Sequence, residues 1–482
     1  MHTAIIIGSG FSGIAMAIRM KSLGLEDFII LEKSNDVGGT WRDNTYPGAE
    51  CDIPSALYSY SFEPYLKWEY KWSHQDQILE YIRHCATKYE IYPHIHFGQE
   101  MKCAHWDETK SSWMVTTGQG KQYETRSFIS AIGQLHFPSV PEFKGEEQFE
   151  GAQFHSAEWD HEVQLSNKRV GVIGNAASAV QFIPEIAKTA AHVTIFQRSA
   201  NWMLPKQDRL YKAWEKKLVR AFPFLLKIYR LRLWLLGGVV FFLMKKGNGL
   251  LRSIAEKISI RYINRVIKDT ELRKKLIPNY PIGAKRILFS DNYYHALNRS
   301  NVRLVTNSID RINSDSITDV RGELHELDVI IYATGFKTNP FLMGREIIGI
   351  NGVSIHETWK DGPKNYLGMT VAGFPNFFMM YGPNTNLGHN SILIMSEAQA
   401  KYIADCIQKM KDQSWKSLVI KNSAFETYNQ EIQERLQNSI WAQIEKSWYK
   451  SASGHIPNNW PGRTMEYLRR TKKVDFSAYQ VS

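Results

Sequence analysis

The chain has few cysteines, and none of them lies in a paired motif. Its 482 residues include Cys51, Cys85, Cys103 and Cys406. No two of them have the two-residue separation that defines a redox dithiol or a zinc ribbon. The sequence therefore predicts free thiols in a reducing compartment. It excludes a disulfide reductase that works through a cysteine pair, and it indicates no metal site.

Long apolar runs are also missing. The segment Leu233–Met244 has no charged residue, but its 12 residues fall short of the roughly 20 that a membrane-spanning helix needs. We expect a core or pocket-lining helix there, with an interfacial membrane contact as the alternative. No charged stretch followed by an apolar segment precedes the first predicted strand. We therefore expect no secretory signal and a cytoplasmic location.

Acidic residues are scarce in one segment. The formal net charge is +11, yet residues 206–286 hold 21 Lys and Arg against 5 Asp and Glu. Apolar and basic residues recur there at helical spacing, which predicts a helical insertion with a solvated basic surface. The alternatives are an electrostatic funnel for an anionic cofactor and a weak contact with a membrane surface. A nucleic-acid partner is not expected, because no RNA- or DNA-binding motif is present.

The chain opens with a dinucleotide-binding pattern. The β-branched run Thr3–Ile7 leads into a glycine-rich turn and a helical pattern, and the next strand ends at Glu32. The turn reads Gly8, Ser9, Gly10, Phe11, Ser12 and Gly13. The first glycine permits a tight turn, the second admits a pyrophosphate, and the third lets the helix pack on the strand. We expect Glu32 to accept hydrogen bonds from ribose hydroxyls.

A second unit of the same kind begins at residue 169. The strands Arg169–Ile173 and His192–Phe196 flank a turn and a helical pattern. The turn reads Gly174, Asn175, Ala176, Ala177, Ser178 and Ala179, so that alanine stands at the second glycine position. The second strand is followed by Gln197, Arg198 and Ser199, without an acid. The arginine favours a ribose 2′-phosphate over a free hydroxyl, whether Gln197 or Arg198 is the residue equivalent to Glu32.

Two further motifs lie beside these units. One consists of Phe149, Gly151, His155, Trp159 and Asp160 in the stretch FEGAQFHSAEWD. The other consists of Gly39, Trp41, Tyr46, Pro47, Gly48 and Asp52. Both motifs resemble fingerprints of the type I Baeyer–Villiger monooxygenases. The resemblance implies FAD in the first nucleotide site and NADPH in the second. It also implies that a flavin C4a-peroxide, formed from O₂, converts a ketone to an ester or lactone.

The resemblance also implies roles for single residues. Arg286 matches the family's catalytic arginine, Asp52 the carboxylate that positions it, and Lys285 a contact to the phosphate side of NADPH. Thr40 would contact FAD together with Gly39 and Trp41, Tyr58 would lie against the flavin, and Met101 would lie near its adenine end. Trp448 resembles an aromatic residue that lines the NADP and substrate region. The residues of the first motif are expected in the link between the two nucleotide domains.

The sequence and the resemblance together predict an α/β fold with two Rossmann-like dinucleotide-binding domains. We expect the FAD domain at 1–150 and 336–482, the NADPH domain at 151–205 and 286–335, and a helical insertion at 206–285. The insertion is expected to cover the NADPH domain without crossing a membrane. The alternative function is a flavin monooxygenase that oxidises nitrogen or sulfur atoms.

Overall fold

The structure is a computed structural model that describes residues 1–245, 249–337, 341–342, 344–443 and 454–482. Its strands, in chain order, are β1 (His2–Ile7), β2 (Phe28–Leu31), β3 (Ile95–His96), β4 (Met101–Asp107), β5 (Ser112–Thr117), β6 (Gln122–Ser130), β7 (Ala152–His155), β8 (Arg169–Ile173), β9 (His192–Phe196), β10 (Met203–Leu204), β11 (Leu288–Phe289), β12 (Val302–Val305), β13 (Ile309–Ile312), β14 (Ser316–Asp319), β15 (Leu324–Glu326), β16 (Val329–Tyr332), β17 (Glu346–Ile348), β18 (Phe377–Met379), β19 (Leu418–Ile420) and β20 (Tyr479–Val481).

Helices connect these strands. In chain order they are α1 (Phe11–Ser22), α2 (Thr40–Asp43), α3 (Gln75–Lys88), α4 (Ala177–Ile186), α5 (Ala213–Ala221), α6 (Phe224–Val240), α7 (Gly249–Val266), α8 (Thr270–Leu276), α9 (Tyr293–Leu297), α10 (Ile355–Thr358), α11 (Ile392–Asp412), α12 (Asn422–Gln437) and α13 (Thr464–Arg470). Short 3₁₀ turns occur between them, one of which, Phe241–Met244, follows α6 directly.

Two sheets form the frame of the fold: the larger is mixed, with β5 antiparallel to β4 and β6, and the second is parallel throughout. The larger has the order β17-β4-β5-β6-β1-β2-β3, with β18 also paired to β6. The second has the order β12-β9-β8-β16-β7, and every neighbouring pair in it is parallel. Smaller sheets join β10 to β11, β13 through β15, and β19 to β20. The predicted fold class is confirmed, whereas the exact domain boundaries stay a prediction.

Helices bury the central strands of both sheets. The residues Ala4–Ile7 of β1 are buried, as are Val170–Ile173 of β8, and this is typical of parallel strands that are covered on both faces. Helices α1 and α11 pack together beside the larger sheet, and α4 packs with α9 beside the second. The strands β1 and β8 each end directly before the first glycine of a nucleotide turn, Gly8 or Gly174.

The glycines of the two turns are required for different steric reasons. Gly8 has φ +97° and Gly174 has φ +106°, values that L side chains rarely adopt. A Cβ at these positions would also lie 2.8 Å from the carbonyl oxygen of Ala131 or 2.4 Å from that of Ala333. At Gly13 the conformation is ordinary, but a Cβ would lie 1.9 Å from the carbonyl oxygen of Gly8.

The insertion is helical, as predicted, but its helices lie on both domains. Helix α7 packs against β10 and α9, and its Ile263 belongs to the core of the second sheet. Helix α6 lies instead on the first domain, where Arg230 donates to Ser59 Oγ at 2.7 Å and to the Ser59 carbonyl at 3.2 Å. The expectation that the insertion covers the NADPH domain therefore holds for α7 and is wrong for α6. Within the described ranges, no helix has both the length and the apolar character needed to cross a membrane.

Replacing Gly13 with alanine should destabilise the first domain, because the new methyl group would collide with the Gly8 carbonyl. We expect a loss of about 3 kcal/mol in the free energy of unfolding, measured by chemical denaturation. The matched control is Ala179→Gly, because Ala179 is the equivalent residue of the second turn and its methyl group is buried without strain. That variant should lose only about 1–2 kcal/mol. Equal losses in the two variants would contradict the steric explanation.

Candidate active site

A cleft of about 390 Å³ lies between the two sheets. It is at the carboxyl ends of the parallel strands, the place where ligands bind in open α/β sheets. Among the predicted site residues, its lining includes Gly8, Gly10, Phe11, Ser12, Glu32, Gly39, Thr40, Trp41, Asp52, Tyr58, Met101, Ala177, Ser178 and Arg286. The structure therefore brings residues of both nucleotide motifs to one cavity.

The acidic residue after β2 is held in place by backbone and side-chain donors. Glu32 is buried and accepts hydrogen bonds from Ser9 N at 2.8 Å and Ser9 Oγ at 2.7 Å. Its other carboxylate oxygen accepts from Ser34 N at 3.0 Å and from Arg42 at 3.2 Å. These contacts fix the carboxylate beside the glycine turn, where a ribose hydroxyl would reach it.

A backbone cradle and unpaired polar atoms fit a bound dinucleotide. A Cβ on Gly39, which has φ +54°, would lie 3.2 Å from the Cα of Gly10, so the two bare backbones face each other. Gln134 Oε1 and both ring nitrogens of His136 are buried in the cleft lining without a hydrogen-bond partner among the described residues. A ligand with hydrogen-bonding groups along its length would satisfy these atoms. The first site therefore fits FAD.

Aromatic side chains form one wall of the cleft. Tyr58 packs edge-on against Phe11, with ring centroids 5.3 Å apart, and against Trp41 at 5.7 Å. Trp41 Nε1 donates to the Tyr58 hydroxyl at 3.0 Å. Burial raises the pKa of Tyr58, so its hydroxyl remains neutral. Met101, at the start of β4, is buried in the same lining.

An ion pair joins the two predicted catalytic residues. Arg286 Nη2 lies 2.9 Å from Asp52 Oδ2. The Asp52 side chain is 9% exposed, whereas that of Arg286 is 48% exposed. The carboxylate is thus fixed in the wall, and the guanidinium extends from it into the cleft. This geometry places a permanent positive charge beside the aromatic wall.

Gln181 fixes the loop that carries Asp52, and the sequence motifs did not identify it. Its Oε1 accepts from the Tyr46 hydroxyl at 2.9 Å and from Glu50 N at 3.3 Å, and its Nε2 donates to the Glu50 carbonyl at 2.9 Å. Gln181 belongs to α4 of the second domain, while the loop belongs to the first. Burial raises the pKa of Tyr46 to about 12, which keeps its hydroxyl a hydrogen-bond donor.

A second ion pair lies behind the first. Lys206 Nζ is 2.6 Å from Glu50 Oε1, and the Lys206 side chain is almost completely buried. Burial raises the pKa of Glu50, and the charge of Lys206 opposes that rise. The position of Lys206 is set by Asp291, whose carboxylate accepts from the backbone N–H groups of residues 206, 207 and 208 at 2.9–3.0 Å. The start of the insertion is thus tied to the Asp52 loop.

The second nucleotide turn has a neutral residue in the position of the acid, with two cations beside it. In the strand registers, Ile7 pairs with Leu31 and Ile173 with Phe196, so Gln197 is the residue equivalent to Glu32. Lys285 Nζ donates to Ser199 Oγ at 3.1 Å. Burial, and then the nearby charge of Arg198, lower the pKa of Lys285.

The polar side chains of this turn also bond to one another. Asn175 Nδ2 donates to Gln197 Oε1 at 2.7 Å and to the Ser199 carbonyl at 3.1 Å. The side chain of Gln197 is therefore committed to the turn, while Arg198 is exposed next to it. An anionic group near the turn would meet Arg198, Lys285 and the Ser199 hydroxyl.

The alanine at the second glycine position changes the surface and not the backbone. Ala176 has φ −81° and ψ −163°, close to the −75° and −170° of Gly10. Its methyl group is exposed at the start of α4. The turn therefore keeps its shape, and one methyl group is added on the side from which a phosphate would approach.

The residues of the first fingerprint pack on the second domain, and their expected role as the link between the domains stays a prediction. Trp159 packs against Phe154 at 5.3 Å and against Phe182 of α4 at 5.2 Å. His155 is the last residue of β7, and its Nδ1 accepts from Ala157 N at 3.1 Å. Burial lowers the pKa of His155, which favours the neutral ring.

The remaining fingerprint residues shape this segment. A Cβ on Gly151 would lie 2.7 Å from the Phe149 ring, so glycine lets that ring fold over the chain. Asp160 accepts from Glu162 N at 2.9 Å and is not among the residues that line the cleft. The segment thus packs the second domain and does not supply a group to the Arg286 pair.

Two further predictions concern Trp448 and the cysteines. Trp448 falls outside the described residues. Cys51 precedes Asp52 in the chain and is buried, and burial raises the pKa of its thiol to about 12. All four cysteines are free thiols, which agrees with the prediction.

Comparison with known proteins identifies the family. Residues 5–221 match a family described as pyridine nucleotide-disulphide oxidoreductase. A Baeyer–Villiger monooxygenase of Pseudomonas aeruginosa is 40% identical, with 99% of this chain and 91% of that protein covered. Another from Streptomyces coelicolor is 39% identical, with coverages of 99% and 92%.

Among solved structures, a crystal structure of OTEMO in complex with FAD and NADP is 27% identical. It has a TM-score of 0.90, and 100% of this chain and 99% of that chain are covered. The expected family and its cofactors, FAD and NADPH, are thereby confirmed. The chain belongs to the Baeyer–Villiger monooxygenases, flavoprotein monooxygenases that use FAD and NADPH.

Proposed function

We propose that this chain inserts one oxygen atom of O₂ beside the carbonyl of a small-molecule ketone in the cleft that holds Arg286 and Asp52. The observation that carries the proposal is the 2.9 Å ion pair, with its carboxylate buried and its guanidinium in the cleft. Bound FAD, reduced by NADPH, would supply the activated oxygen. We further propose that the protein acts in the cytoplasm.

Arg286 would stabilise negative charge that develops on oxygen during the reaction. A guanidinium is protonated at every physiological pH and is fixed here by Asp52, so it needs little reorientation as charge forms. The aromatic wall of Phe11, Trp41 and Tyr58 limits the access of water to that charge.

Arg198, Ser199 and Lys285 would hold the 2′-phosphate of NADPH. Two cations and a hydroxyl converge next to Gln197, where an acid would otherwise bind a free 2′-hydroxyl. Ala176 would contact the pyrophosphate through its methyl group, at the start of α4. The same turn would bind NADH more weakly, because the cations would have no phosphate to neutralise them.

Removal of the Arg286 charge should separate NADPH oxidation from product formation. Arg286→Ala should still permit reduction of the flavin. The activation free energy of ester or lactone formation should rise by about 3–4 kcal/mol, so the rate of that step should fall steeply. Reducing equivalents would then be released as hydrogen peroxide. Asp52→Ala should show the same pattern more mildly, because Asp52 acts by positioning the arginine.

Stopped-flow reduction followed by product analysis measures both halves of this prediction. Lys285→Ala serves as a control, since it should weaken NADPH binding without separating the two halves. Near wild-type ketone oxygenation by Arg286→Ala would reject the assignment. Oxidation of nitrogen or sulfur compounds by that variant would then favour the alternative function.

Arg198 should discriminate between the two nicotinamide cofactors. Arg198→Ala should weaken NADPH binding by about 1.5–3 kcal/mol, the contribution of a charge-assisted contact, and leave NADH binding nearly unchanged. Titration of the FAD-loaded enzyme with each cofactor provides the comparison. Equal losses for NADPH and NADH would remove Arg198 from the 2′-phosphate site.

NADPH affinity should decrease as the pH rises, and it should do so at a lower pH than the one at which a lysine of ordinary pKa loses its proton. The pKa of Lys285 lies below its usual value, so the ammonium that contacts the phosphate is neutralised at a lower pH. The contact is complete below this pKa and is lost as the pH rises through it. Measured against pH in the alkaline range, NADPH binding by Lys285→Met should lack this step. The same step in that variant would assign it to another group.

A further inference from the structure

Exposed apolar side chains are concentrated in the insertion. In the described part of the chain, 23 large hydrophobic side chains are exposed, and 14 of them lie between residues 210 and 258. Apolar patches of this kind on a protein surface mark contacts with another protein or with a membrane. Helices α5, α6 and α7 each contribute to this surface.

Helix α6 carries the most regular part of it. Its exposed apolar residues, which we call the α6 face, are Phe224, Ile228, Leu231, Leu235, Leu236 and Val239. Apart from the adjacent pair Leu235 and Leu236, they recur every three or four residues along the whole helix. A surface helix normally exposes polar residues on its outer side. Since Leu225, Leu226 and Trp234 on the other side are half-buried, α6 is apolar on both sides.

Positive charge surrounds the α6 face. Lys227 and Arg232 emerge among its apolar residues. Residues 210–245 contain one acidic side chain, Glu215, and Arg209 pairs with it at 2.7 Å. Long basic side chains can extend from an apolar surface to reach phosphate groups. The segment therefore combines an apolar surface with a cationic rim.

The inner side of α6 is fixed to the first domain. Arg230 donates to Ser59, as described above, and Asn390 Nδ2 donates to the Trp234 carbonyl at 3.2 Å. At Gly237 a Cβ would lie 2.5 Å from the His389 carbonyl, so the helix approaches that loop closely. These contacts fix the rotation of α6 about its axis, so that the α6 face points outward.

We propose that the α6 face, with its cationic rim, docks on an anionic lipid bilayer surface. Anionic headgroups complement the exposed Lys212, Lys217, Arg220, Lys227 and Arg232. The apolar stripe would enter the boundary between headgroups and acyl chains. A second copy of the chain fits less well, because two such surfaces would oppose positive charge with positive charge. Helix α6 would lie in the plane of the interface.

Docking would also bring the cleft near the lipid phase. Asn390 contacts α6 and lines the cleft that holds Arg286. If the proposed ketone oxidation is correct, on which this step alone depends, the favoured substrates are ketones that dissolve in lipid, such as long-chain aliphatic ketones. They would reach the cleft from the bilayer and not from bulk water.

Vesicle flotation of the FAD-loaded protein tests the docking without any assay of activity. We expect the protein to float with vesicles that contain a third phosphatidylserine and not with phosphatidylcholine alone. About 0.5 M salt should release much of it, because screening shortens the reach of the charges. Absence of binding to anionic vesicles would overturn the proposal.

Matched variants locate the contact. Leu231→Gln/Leu235→Gln, at side chains 54% and 55% exposed, should weaken binding at least tenfold. Val320→Gln/Leu324→Gln, at side chains 61% and 62% exposed in another part of the surface, should leave it unchanged. Lys227→Gln/Arg232→Gln should weaken binding by about fivefold per charge, and Lys102→Gln/Lys110→Gln should not.

Two outcomes would contradict the α6 face as the contact. One is an equal loss of vesicle binding in the α6 variants and their controls. The other is a dimer, seen by light scattering, that the α6 variants abolish while vesicle binding is absent. Unchanged flavin absorbance and thermal midpoint show that each variant is folded, so that a loss of binding reports on the surface.

A ketone assay then separates docking from the proposed function. Wild type should oxidise a long-chain methyl ketone faster when it is carried in anionic vesicles, and Leu231→Gln/Leu235→Gln should lose that gain. Both proteins should oxidise the water-soluble ketone cyclohexanone equally. Oxidation of neither ketone, with flotation intact, would reject the function and leave docking established. Equal gains in both proteins would reject lipid delivery through α6.

Discussion

The geometry of the cleft depends on one side-chain amide, that of Gln181. It joins α4 of the second domain to the loop of the first domain that runs from Tyr46 to Asp52, using both of its polar atoms. A half-buried amide with satisfied donors and acceptors is costly to displace, because each lost partner leaves a desolvated group. The carboxylate of Asp52 is positioned at the end of this loop, and Arg286 is positioned by the carboxylate.

The buried Glu50–Lys206 pair extends the same constraint to the insertion. Such pairs contribute little net stability, since desolvation offsets most of the attraction, but removal of one partner leaves a buried charge. The pair therefore selects one arrangement of the loop more than it strengthens the fold. The helix α4, the Asp52 loop and the start of the insertion are consequently connected. A displacement of α4 would therefore change the position of the Asp52–Arg286 ion pair.

The sequence predicted the parts that depend on local constraints. Gly8 and Gly174 require positive φ, and the strands that precede them are short β-branched runs, so both nucleotide units could be identified directly. Arg286 and Asp52 were found through motifs and not through geometry. Gln181 and Lys206 were not predicted because each acts through a partner more than a hundred residues away in the chain. A glutamine or lysine in a helical pattern usually indicates only a solvent-exposed helix surface.

The placement of α6 was missed for a related reason. Helical periodicity predicts a helix but not the surface on which it packs, and an apolar run does not reveal that half of it faces outward. Arg230, one cation among many in a basic segment, determines the side that is held by the first domain. The expectation of a core helix at Leu233–Met244 holds for Phe241 and Met244, which are buried, and fails for Leu235 and Leu236.

Cys51 bears on how long the enzyme survives its own chemistry. A flavoenzyme that reduces O₂ can release hydrogen peroxide when turnover fails, and Cys51 lines the cleft in which Arg286 lies. A cysteine thiolate attacks a peroxide oxygen and breaks the O–O bond, so that its sulfur becomes sulfenic and, with further peroxide, sulfinic acid. With a pKa of about 12 in its buried site, Cys51 remains a protonated thiol at neutral pH. Burial of this side chain therefore keeps the residue before Asp52 in the thiol form, which reacts slowly with peroxide.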